Sequence, residues 1–138
     1  MPWRMARAGP PGGCWPNGWG IVDPSRHVAA VVSELGALLQ LTAQDGKRDE
    51  LLRVLGNYVH TLDGEPGTSL FAAAADPNDA DLVWVWEEFA DSAAVREHFE
   101  HDFFRALQLE LADLLAEPVA VRPLAPFARR VNPEVNAE

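Results

Sequence analysis

The 22 residues VWVWEEFADSAAVREHFEHDFF, Val83 to Phe104, decide the fold. They begin as a strand and continue as a helix. With Leu82 in front, LVWVWEEF is rich in β-branched and aromatic residues, which suit a pleated, partly buried surface. Alternation puts Leu82, Trp84 and Trp86 on one face; Val83, Val85 and Phe89 lie on the other, with Glu87 in their row and Glu88 in the first. Asp91 or Ser92 then supplies an N-cap for a short helix, SAAVREHF. A second helical stretch carries Phe103, Phe104, Leu107, Leu111, Leu114 and Leu115 at helical spacing until Pro118 stops it. Both faces of the strand are apolar, so helices on one side leave the other needing a cover of its own.

The same reading extends outward. GALLQLTA, Gly36 to Ala43, is an apolar run of strand length that ends in the turn-prone QDGK. Lys47 to Leu62 is an amphipathic helix with Leu51, Leu52, Leu55, Tyr58, Val59 and Leu62 on one side. DGEPG breaks the chain, TSLFAAAA reads as a strand ended by DPNDAD, and VAVRPL is the last strand. The order β-α-β-β-α-β predicts an α+β, ferredoxin-like domain, a four-stranded antiparallel sheet with its helices on one face. The bare face predicts a two-fold homodimer packed sheet on sheet.

Three segments follow: an extension at 1–35, the domain at 36–124 and a polar tail at 125–138. Met1 to His27 holds five Pro, five Gly and Trp3, Trp15 and Trp19, with no signal-peptide core. It reads either as a strap across the body or a second subunit, or as an unstructured leader or misassigned start. Val28 to Leu35 has the pattern of a short helix.

Formal charge is −10 for the chain. Residues 36–124 carry 6 basic and 17 acidic side chains, a balance of −11. An acidic domain repels a phosphate backbone, so nucleic acid is not expected as a partner and an apolar or neutral small molecule fits better. No run is long and apolar enough to span a membrane. One cysteine, Cys14, makes neither an internal disulfide nor a thiolate metal site, which is compatible with the cytoplasm.

DGKRDELLRVL after the first strand, EPGTSLFAAAADPND into the second, and VWEEFADSAAVREHFEHDFF together resemble the antibiotic biosynthesis monooxygenase family, over about Gly36 to Leu124. The resemblance implies a dimeric ferredoxin-like α/β barrel. It also implies oxidation of polycyclic phenols or quinols by O2 without metal, flavin or haem. A deprotonated phenol can itself pass an electron to O2, so the protein need only bind, deprotonate and shield it.

The resemblance puts His98 at the family's helix His and Glu87 at its strand Glu. A histidine can accept a phenolic proton near neutrality, and Glu87 on an apolar row must be paired or protonated. Its expected role is to orient His98; the structural alternative is a hydrogen bond to backbone or to an Arg such as Arg122. Trp86, Phe89, Phe99, Phe103 and Phe104 are candidate stacking surfaces, or plain core. Gln40 on the first strand and Tyr58 on the first helix are candidate polar contacts for the substrate. His101 beside Asp102 is expected near a helix cap. His98 and His101 without a further ligand make a weak metal signal, so no metal and no other cofactor is expected.

Two other readings compete. Haem-degrading relatives share the fold, but their pattern has Trp where Glu87 stands and a ligating His near Gln108, and both are missing here. The other is a non-catalytic dimeric module that binds a small molecule.

Overall fold

The alternating segment LVWVWEEF becomes an inner strand of the sheet. In the computed structural model, which describes residues 20–21, 28, 31–32 and 34–132, β4 (Leu82–Phe89) lies between β2 (Gly36–Thr42) and β3 (Thr68–Ala75). On the far side of β2 comes β5 (Ala120–Leu124), and a two-residue strand, β1 (Gly20–Ile21), pairs with β5. All pairings are antiparallel, in the order β1-β5-β2-β4-β3. The four expected strands are present within one residue of their expected bounds. The fifth, β1, is an addition from the Pro/Gly-rich segment, and Trp3, Trp15 and Trp19 lie outside the described residues.

Three helices cover one face: α1 (Arg48–Thr61), α2 (Ser92–Glu100) and α3 (Asp102–Leu114). α1 buries Leu51, Val54, Leu55 and Tyr58, an i, i+3, i+4, i+7 stripe. Val59, expected on that stripe, is 39% exposed, and Val54 takes its place. The N-cap of α2 is Asp91, whose Oδ1 accepts the Ala94 N–H at 2.8 Å. His101, in extended backbone between α2 and α3, accepts the Phe103 N–H on Nδ1 at 3.2 Å and so caps α3.

Cross-strand register decides which residues face the helices. Ala37 sits opposite Glu87, Leu39 opposite Val85 and Leu41 opposite Val83, all on the inner face. Leu38 opposite Trp86 and Gln40 opposite Trp84 are on the outer one. Leu41, Leu51, Leu55, Val83, Val85 and Leu107 make the main core; Val31, Ala37, Phe89, Val95 and Val121 make a second under α2. Val31 comes from the expected short helix, of which residues 28, 31, 32 and 34 are described as helical.

The turn Glu65-Pro66-Gly67 leads into β3 and lies against the start of α2. A Cβ at Gly67 would stand 2.5 Å from that of Ala94, and the Gly67 carbonyl accepts the Ala90 N–H at 2.8 Å. Only glycine permits this approach, and the approach carries Glu65 under α2. No helix among the described residues is long and apolar enough to cross a membrane.

Candidate active site under helix α2

His98 lies seven residues after the Asp91 cap, two helical turns along the inner face of α2, and is 1% exposed. Its Nδ1 is 3.2 Å from Glu65 Oε1, with the Tyr58 hydroxyl 3.4 Å from the same nitrogen. Nε2 points to the other side, where Glu87 Oε2 stands 3.9 Å away, too far for a direct hydrogen bond. The rings of Phe89, Phe99 and Phe104 wall the imidazole, with centroids at 5.0, 5.1 and 4.7 Å.

Two carboxyl groups thus flank one imidazole out of reach of bulk water. Burial in this apolar setting, with the nearby Glu65 adding to it, pushes the Glu87 carboxyl up to about 8. Glu65 is also raised, by burial first, with His101 opposing and Glu97 reinforcing the shift. The Tyr58 phenol is raised far above its ordinary range by burial, then by Glu65 and Glu87. Below about pH 8 Glu87 is therefore neutral and keeps an O–H to donate. Where Glu65 is ionised it only accepts, and the imidazole then carries its proton on Nδ1 with the Nε2 lone pair toward Glu87. Glu65 Oε2 has no hydrogen-bond partner among the described residues.

Beside this cluster is a cavity of about 140 Å³. Its walls are the side chains of Leu41, Leu55, Phe71, Val85, Phe104 and Leu107, with His98 and Glu87 as its buried polar groups. Gln108, an exposed residue of α3, adds a polar group at the surface end. Among the described residues no Lys or Arg lines it. The described residues contain no group of three or more His, Cys, Asp or Glu placed to hold a metal ion.

Of the expected site residues, His98, Glu87, Phe99 and Phe104 line the cavity. Tyr58 and Phe89 contact the His98 ring from behind it. The other three are elsewhere. Trp86 and Gln40 occupy the outer face because strand alternation separates them from Glu87 and Leu39, and the Trp86 indole donates to Glu88 Oε1 at 3.2 Å. Phe103 is 51% exposed and stacks on His101. Glu88, in the row of Trp84 and Trp86, is buried and pairs with Arg129 of the C-terminal segment at 3.0 Å.

The carboxylate hydrogen-bonded to His98 is Glu65; Glu87, expected in that part, faces the other nitrogen. Sequence reasoning missed Glu65 because DGEPG has the composition of a solvated turn. The remaining signal, a glutamate fixed beside a Pro-Gly pair in the quoted family resemblance, marks the turn without saying that it is buried. Gln108 carries no sequence signal for the cavity mouth beyond its position on α3.

A family model described as antibiotic biosynthesis monooxygenase matches residues 35–109. Three solved structures share the fold. PA3566 from Pseudomonas aeruginosa has 25% identity and a TM-score of 0.61, over 67% of this chain and 93% of that one. Rv0793 from Mycobacterium tuberculosis has 20% identity and a TM-score of 0.62, over 70% and 97%. NE2512, a protein of unknown function from Nitrosomonas europaea, has 23% identity and a TM-score of 0.63, over 70% and 92%. No curated protein matches the sequence.

The raised carboxyl of Glu87 has a thermodynamic signature. Between the ordinary carboxyl value of 4.5 and about 8, the folded chain holds a proton that the unfolded chain has released. Stability from this group is complete below that range and lost as pH rises through it. Urea unfolding at pH 5.5 and 8 is expected to show wild type losing stability relative to Glu87→Gln, by at most about 1.4 kcal/mol per pH unit. Parallel pH profiles for the two proteins would mean that Glu87 is ionised in the fold.

Proposed function

Because the chain belongs to the antibiotic biosynthesis monooxygenase family, we propose that it oxidises an aromatic phenol or quinol with O2, without a cofactor, in the cavity beside His98. The observation that carries this reading is a buried imidazole held through Nδ1 by Glu65, with Nε2 and the neutral Glu87 carboxyl both bordering an apolar cavity.

The parts divide the work as follows. The substrate hydroxyl enters beside the 3.9 Å gap between Nε2 and Glu87. Nε2 takes its proton, and Glu65 stabilises the imidazolium that forms. Glu87, kept neutral by burial, donates a hydrogen bond to the new phenolate, as a carboxylic acid in an apolar site can. The phenolate passes one electron to O2, giving phenoxyl and superoxide, which combine at a ring carbon as a peroxide anion that takes the proton back from the His98 imidazolium to become a hydroperoxide. Loss of water leaves a carbonyl. One ring C–H and the phenolic O–H have then become a quinone, one oxygen atom entering the product and the other leaving as water. The substrate has lost four electrons and O2 has gained four. The phenyl and aliphatic walls keep water away from the radical pair.

Dimerisation belongs to the same proposal. The outer face of the sheet carries Leu38, Trp84 and Trp86, all partly exposed, and none of α1 to α3 covers it. A second copy packed sheet on sheet would bury them. Sedimentation equilibrium is expected to give twice the chain mass, and a monomer at micromolar concentration would remove this part.

Chelator-treated protein is expected to raise O2 uptake above autoxidation with a panel of phenols and quinols. His98→Ala should lower that rate by about 10² to 10⁴. Uptake unchanged in the variant would place the base elsewhere. Saturable binding without uptake would make the cavity a receptor instead.

A further inference from the structure

The cavity that holds His98 and Glu87 is small, and its walls differ in how far they can yield. An apolar protein cavity of about 150 Å³ accommodates a single benzene ring, and sites for drug-sized molecules begin at about 300 Å³. At about 140 Å³ this cavity is at the one-ring end. Leu41, Leu55 and Val85 are each 2% exposed or less and sit where the central strands meet α1. Close-packed interiors of this kind enlarge only at substantial cost. On the α3 side, Phe104 and Leu111 are only partly buried and Gln108 is exposed.

Charge is the second restriction. The buried polar groups are Glu87 and His98, with Glu65 directly behind His98, and the lining contains no Lys or Arg among the described residues. A ligand carboxylate or phosphate would lose its hydration near the Glu65 carboxylate and find no Lys or Arg to pair with among the described lining residues. A neutral hydroxyl meets an acceptor in Nε2 and a carboxyl in Glu87, and the rest of a single ring meets hydrocarbon.

We infer that the site selects an uncharged, single-ring phenol or quinol, excluding two- and three-ring substrates by its small volume and anionic ones by the Glu65 carboxylate behind His98 and the lack of a Lys or Arg in the described lining. This rests on the cavity being the substrate site of the proposed oxygenase. It separates the chain from the polycyclic substrates implied by the family resemblance. It also runs against the usual trend, in which a larger apolar ligand binds more tightly because it buries more area.

The test is binding, which needs no turnover. Phenol, 2-naphthol, 2-hydroxyanthracene and 4-hydroxybenzoate are titrated into the full chain under argon at pH 7 and followed through the His98 ring signals by NMR. Phenol is expected to bind at least tenfold more tightly than either fused-ring probe, and at least tenfold more tightly than 4-hydroxybenzoate. Phe104→Ala is expected to reverse the size order, admitting 2-naphthol at least tenfold better than wild type does. In Glu65→Gln the discrimination against 4-hydroxybenzoate is expected to shrink while the size order stays. A wild-type preference for 2-naphthol or 2-hydroxyanthracene over phenol would overturn the inference and leave the oxygenase reading in place. Equal binding of 4-hydroxybenzoate and phenol would overturn its charge half. If none of the four perturbs His98, this inference and the assignment of the cavity as substrate site fall together.

Discussion

A histidine buried under a helix must be hydrogen-bonded or bear the cost of an orphaned polar group. In this protein the hydrogen bond between His98 Nδ1 and Glu65 organises what surrounds it. It joins the inner face of α2 to the turn before β3, two segments 33 residues apart. Each end is fixed separately. The Asp91 cap and the apolar positions Ala94 and Val95 fix the rotation of α2. The close approach of Gly67 to Ala94 brings the turn near enough for Glu65 to reach the ring. The hydrogen bond then decides which nitrogen is left for the cavity.

Burying two carboxyl groups beside one imidazole is poor design for stability. Desolvation opposes charge on each, and the two oppose each other. The fold answers by keeping Glu87 neutral near pH 7 and setting its O–H beside the lone pair of Nε2. An acid and a base thus face the same small space, the arrangement that deprotonating a phenol and holding its anion calls for. Groups whose environments push them toward different protonation states are a mark of sites that do proton chemistry. The phenylalanine walls serve both ends, since the rings that exclude water from the cavity also raise Glu87.

The fold was legible because it rests on periodicity. Alternation in Leu82 to Phe89 set the two faces of β4, and the helical stripes and turn signals set the order around it. Where periodicity is ambiguous the reading slipped, as with Val54 and Val59, which flank the buried stripe of α1 on opposite edges and of which only Val54 is buried. The site was legible where residue type disagrees with position: Glu87 stands on an apolar row and His98 two turns past a cap. Trp86 and Gln40 have side chains suited to a ligand but stand on the other face; the alternation that puts Glu87 inside puts both of them outside. Glu65 was not legible, because its burial comes from the meeting of a turn and a helix distant in sequence. Local pattern carries no trace of such a contact.

The central claim is that Glu65 holds His98 with its proton on Nδ1 and its lone pair on Nε2 toward the cavity. The ¹⁵N shifts of the His98 ring, measured in the full chain across the neutral pH range, test it most directly. The account predicts a protonated Nδ1 and an unprotonated, pyridine-like Nε2 in the neutral ring, a preference weakened in Glu65→Gln. A neutral ring with its proton on Nε2, unchanged by that substitution, would contradict it, because no lone pair would then face the cavity.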